Sequence, residues 1–121
     1  MQNSATPKAD TSHIIAKLPS RFQSDKAADL DSVFQFHLTD CLSFYIEIKN
    51  QTCRIEMSEH DDPNIVLSMS EAVFIALMSG ELDGMSAFMK GDLKAHGNII
   101  LATSLSKLFK KRPGDLQKFN Q

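Results

Sequence analysis

The sequence predicts an α+β domain: a five-stranded, mostly antiparallel sheet covered by helices. Three observations predict it. Apolar and polar residues alternate through residues 34–57, the period of strands with one wet and one dry face. From Ser70 onward the apolar residues recur at helical spacing, punctuated by Gly80 and Gly91. The chain has 121 residues, enough for one hydrophobic core and too few for two.

Each element follows in order. Residues 1 to 10 are polar and aperiodic and are expected to be a mobile tail. Thr11 or Ser12 caps a short helix with Ile14, Ile15 and Leu18 on one side, which Pro19 breaks or kinks. Phe22 is assigned to a second turn, and residues 24 to 31 form a connection. Phe34, Phe36 and Leu38 alternate with Gln35 and His37 as the first strand. Leu42, Phe44, Ile46 and Ile48 alternate with Ser43, Tyr45, Glu47 and Lys49 as the second. Asn50-Gln51 makes a tight turn into a third strand carrying Cys53, Ile55 and Met57. A loop at His60, Asp61, Asp62 and Pro63 precedes a fourth strand with Ile65, Leu67 and Met69. Ser70 then caps a helix that is apolar all round from Val73 to Met78 and so is expected to be buried on more than one side. Gly80 stops it. Leu82, Met85, Phe88 and Met89 share helical spacing up to Gly91. Leu93 to His96 reads as a fifth strand, and Asn98 caps a last helix with Leu101, Leu105 and Leu108 on one stripe before Pro113-Gly114. The domain proper is therefore expected at residues 11–112, with a C-terminal tail at 113–121.

Composition removes several functions. Thirteen basic residues against fifteen acidic ones give a net charge of −2, the wrong balance for a protein that lives on nucleic-acid phosphates. No apolar run is long enough to span a bilayer, and the polar N-terminus does not resemble a secretory signal. Cys41 and Cys53 are too few for a disulfide framework or a zinc pattern and are read as free thiols of a cytoplasmic protein. There is no phosphate-binding glycine loop, no nucleophile elbow, and no histidine pair at metal-binding spacing. His60, Asp61 and Asp62 read as a polar loop before a metal site, and His37 and Glu47 as surface residues before a pH-sensitive cross-strand pair. No catalytic residue, metal or cofactor is assigned.

The interior is apolar and soft. Met57, Met69, Met78, Met85 and Met89 fall on expected interior positions, as do most of the eight phenylalanines. Methionine adapts its shape, and apolar surface in excess of one small sheet face can line a cavity. Phe36, Phe44 and Ile46 from the sheet are expected to face Phe74, Met78, Met85, Phe88, Met89, Leu101 and Leu105 from the helices.

The stretch Ala87-Phe88-Met89-Lys90-Gly91-Asp92-Leu93-Lys94-Ala95-His96-Gly97-Asn98 resembles the signature of the sterol carrier protein 2 domain. Phe34 to Leu38 resembles that family's first strand, Asn64 to Ser70 its last meander strand running into a helix cap, and Gly80-Glu81-Leu82 its helix stop. The likeness runs from about residue 12 to residue 110. Asp92, Ala95, Asn64 and Asn50-Gln51 depart from the family's usual residues, and the C-terminal residues are not its peroxisomal tripeptide. The resemblance implies a mixed five-stranded sheet with an apolar tunnel between sheet and helices, in a small stand-alone protein of bacterial type. It implies carriage of fatty acyl chains, phospholipids, sterol-like or isoprenoid lipids without covalent chemistry. An accessory domain that pairs with a lipid- or quinone-pathway enzyme is the alternative. Phe109 beside Lys110, Lys111 and Arg112 suggests a portal that makes transient contact with anionic membrane surfaces, although cations also suit a helix C-terminus.

Overall fold

The computed structural model describes residues 9–109. Helix α1 (Ala9–Arg21) starts two residues inside the expected tail and runs through Pro19, burying Thr11, Ile15 and Leu18. A proline this close to a helix end removes one backbone bond and need not terminate the helix. Phe22 does not extend it; it makes a β-bridge to Phe109 instead. A short 3-10 turn (Ser24–Ala27) leads into the sheet.

The strands are β1 (Ser32–Leu38), β2 (Ser43–Lys49), β3 (Thr52–Glu56), β4 (Ile65–Met69) and β5 (Lys94–Gly97), in spatial order β3-β2-β1-β4-β5. Neighbours are antiparallel except β1 and β4, which run parallel with Phe34 opposite Ile65. Asn50 and Gln51 both have positive φ, at 53° and 61°, the geometry of a two-residue hairpin turn formed here without glycine.

One sheet face is the expected dry one. Phe34, Phe36 and Leu38 lie there with Phe44, Ile46, Ile48, Ile65, Leu67 and Met69, all buried. The opposite face is drier than alternation suggests. The chain between β3 and β4 must pass the sheet to reach the far side of β1, and it is tied down by Gln35. The Gln35 Nε2 donates to Phe44 O at 3.0 Å and Ser58 O at 3.2 Å, and its Oε1 accepts from His60 N at 2.7 Å. Gln35 and Tyr45 are therefore buried on what a two-period pattern assigns to water. His37 and Glu47 are not partners: the register sets His37 opposite Ser43, at 2.9 Å between side chains, and Glu47 binds Arg54 at 2.8 Å.

Helix α2 (Glu71–Ser79) is capped as the sequence predicts, with Ser70 Oγ accepting from Val73 N at 3.2 Å and Gly80 closing the end at φ 85°. Of its apolar run only Phe74 is fully buried. Helix α3 (Gly84–Lys90) is capped by Asp83 and closed by Gly91. Helix α4 (Ile100–Leu108) begins after Ile99, with no side-chain cap, so Asn98 does not serve as one. Its start is fixed instead by Asn98 N donating to Asn64 O at 2.8 Å, and its end by Gln23 N donating to Leu108 O at 2.7 Å.

Candidate functional site

Among the described residues, the helices do not fill the space above the dry face. An apolar cavity of about 220 Å³ remains between sheet and helices. Phe36, Ile46, Leu67 and Met69 form its floor. Leu77 and Met78 of α2 and Ala102 and Leu105 of α4 form two walls. Leu18 and Arg21 come from α1, and Leu82, Asp83, Gly84 and Leu93 from the chain around α3. Phe109 also lines it, 5.8 Å from Phe22 between ring centroids. Among the described residues, Arg21 and Asp83 are the charged members of this lining.

The floor is rigid for an aromatic reason. Phe36 and Phe44 stack at 4.8 Å with 2° between planes, and Phe74 meets both edge-on at 6.0 and 5.7 Å. Both arrangements suit the ring quadrupoles, each pair adding about 0.5–1.5 kcal/mol beyond burial.

The expected wall residues therefore divide into three groups. Phe36, Ile46, Met78 and Leu105 line the cavity, as does Phe109. Phe44, Phe74 and Leu101 are buried in the core beside it. Met85, Phe88 and Met89 were expected inside, and the structure instead places them in solvent, as it does Met57. The reason is Ala87, which is fully buried and seats the short α3 on its small side, so the large residues look away. Lys110, Lys111 and Arg112 lie outside the described residues. Sequence reasoning did not name Arg21, Leu67 and Ala102 as wall residues, nor the turn before α3, Leu18, Met69, Leu77 or Leu93. Leu67 shows a strand-face signal, while Arg21 and Ala102 carry none that marks them as lining.

Among the described residues no group of three or more His, Cys, Asp or Glu is placed to hold a metal. Cys41 and Cys53 are free. Burial pushes the Cys53 thiol up to about 11, and burial followed by the charges of Glu71 and Asp40 raises Cys41, so both are poor nucleophiles.

The sequence matches the SCP-2 sterol transfer family over residues 12–110. The chain belongs to that family. It is 38% identical over 80 residues to hydroxysteroid dehydrogenase-like protein 2 of Bos taurus, a match covering 64% of this chain and 19% of that protein. The chain thus spans about a fifth of the length of that curated relative. Its fold is shared by the sec-alkyl sulfatase PisA1, with a TM-score of 0.74 at 17% identity over 84% of this chain and 17% of that one. It is also shared by sterol carrier protein 2 of Aedes aegypti in complex with palmitate, with a TM-score of 0.64 at 19% identity over 81% of this chain and 92% of that one. The mixed five-stranded sheet with helices is the fold of this SCP-2 domain; none of its helices among the described residues is long and apolar enough to cross a membrane.

Proposed function

We propose that this SCP-2 domain binds the acyl chain of a long-chain lipid in the cavity above the Phe36–Phe44–Phe74 cluster and carries it without covalent chemistry. The observation that carries the reading is an apolar cavity of about 220 Å³ that the described residues leave unfilled. Protein interiors of this size ordinarily close such spaces, because each void forfeits packing contacts. Each methylene buried gains about 0.8 kcal/mol, so about ten contribute roughly 8 kcal/mol, the equivalent of micromolar affinity before ordering costs are subtracted. The palmitate held by the mosquito relative makes a fatty acid the first ligand to try. Phe36, Ile46, Met78 and Leu105 supply the apolar contacts.

Delivery belongs to the same proposal. Phe109 lines the cavity, and Lys110, Lys111 and Arg112 follow it in sequence. Near an anionic membrane each cation adds about 1 kcal/mol. A reducing compartment suits the two free thiols. Native mass spectrometry before and after organic extraction, together with displacement of a fluorescent fatty acid, tests the carrier function. Co-purified lipid and saturable displacement support it; failure of any acyl chain, sterol or quinone to bind saturably sinks it.

A second reading has its own observation. In hydroxysteroid dehydrogenase-like protein 2 the matching stretch is 19% of a longer chain, so such a domain also works beside other domains. On that reading the domain presents its lipid to a lipid-pathway enzyme, and co-elution with such an enzyme only when lipid is bound is the expected result.

A further inference from the structure

The wall of the cavity around α3 is held differently from the wall made by α4. Helix α4 is tied at both ends to other elements, through Asn98 to Asn64 and through Leu108 to Gln23. Residues 83–93 instead close on themselves. Asp83 accepts from Ser86 N at 3.0 Å, and Ala87 O accepts from Asp92 N at 2.9 Å and Leu93 N at 3.2 Å. Among the described residues no hydrogen bond joins this unit to another element, and Ala87 is its one buried side chain. Its anchors lie just outside it. Leu82 N donates to Ala76 O at 3.1 Å, and Lys94 pairs with Ser68. A segment with few buried contacts and only internal bonds opens at low free energy.

The same unit carries Met85, Phe88 and Met89, which are 60%, 43% and 78% exposed, while Asp83, Gly84 and Leu93 line the cavity from its inner side. A Cβ built on Gly84 meets nothing within 4 Å. The cavity of about 220 Å³ lies below the ~300 Å³ at which ligand sites begin, so an acyl chain needs added room and added apolar wall. Both are at hand in one place. Resting on the carrier reading, we infer that residues 83–93 are the gate of the cavity. The unit swings outward about Leu82 and Lys94 to admit an acyl chain. Met85, Phe88 and Met89 then turn onto that chain as new lining, the unbranched methionines adapting to its course.

The chain contains no tryptophan, so one introduced indole reports its own surroundings. Met89→Trp and Ile100→Trp are a matched pair, the parent side chains being 78% and 77% exposed, on the gate and on α4 respectively. Palmitate is titrated into each, with binding measured independently by displacement of a fluorescent fatty acid. The gate predicts a shift of emission to shorter wavelength and a loss of acrylamide quenching at position 89, with no change at position 100. Hydrogen exchange on the unmodified protein is the companion measurement. Amides of residues 84–90 should exchange faster than those of 101–108 without palmitate and slow when it is added. Saturable binding with no change at position 89, or with equal changes at both positions, overturns the gate and leaves the carrier reading standing. Absence of saturable binding in the unmodified protein overturns both.

Discussion

Ala102→Phe should separate ligand binding from folding. Ala102 is half-buried on α4 and faces the cavity, so a phenyl ring placed there has about 220 Å³ to enter. Burying the ring gains about 1.5–3 kcal/mol. Fitting it against the existing walls costs about 1–3 kcal/mol, and its poorer helix propensity about 0.5 kcal/mol. These nearly cancel, so the urea midpoint should move little and the slope of the transition not at all. Binding should not escape. A ring in the cavity displaces roughly four methylenes of an acyl chain, about 3 kcal/mol, which weakens palmitate on the order of 100-fold. Urea unfolding and fluorescent fatty-acid displacement on the same preparation read both quantities. A variant that unfolds like its parent and still binds palmitate with unchanged affinity would refute the placement of the ligand in this cavity. A loss of more than about 4 kcal/mol in stability would show the walls to be too rigid to count as a binding space.

Three further outcomes follow from the packing. Gly97→Ala should destabilise by about 3 kcal/mol, because a Cβ there meets Asn64 O at 2.5 Å and its φ of 107° is open to glycine alone; a urea midpoint within error of the parent would contradict this. Gln35→Ala should cost about 1–3 kcal/mol by removing the partner of His60 N and the tie to Ser58 O, and hydrogen exchange should locate the loosening in residues 57–63. Stability should fall between about pH 9 and pH 11 through Cys53. As pH rises the unfolded thiol ionises first, near its ordinary 9.0, while the folded one holds its proton to about 11, so the unfolded state binds fewer protons in that window. Urea midpoints across this range should fall less steeply for Cys53→Ala than for the parent.

The fold was largely legible because its signals are local. Alternation set the strands to within a residue or two, and the Ser70 and Gly80 caps marked α2. What stayed hidden depends on contacts distant in sequence. Nothing in residues 57–64 says that they cross the sheet, so the burial of Gln35 and Tyr45 could not be read. The parallel pairing of β1 with β4, 31 residues apart at Phe34 and Ile65, follows from the same crossing. Pro19 does not break α1, because its cost depends on how much helix remains after it.

The site shows a different limit. Helical spacing correctly puts Met85, Phe88 and Met89 on one face, but spacing does not say which way that face looks. The side that seats against the core is chosen by the residue that fits, and on α3 that residue is Ala87. A search for a cavity among the largest apolar residues therefore points to the wrong side of this helix. Big side chains abolish space; Phe44 and Phe74 pack into solid core beside the cavity, and space remains where Ala102 and Gly84 line it. In a chain this short, the void is written in the small residues.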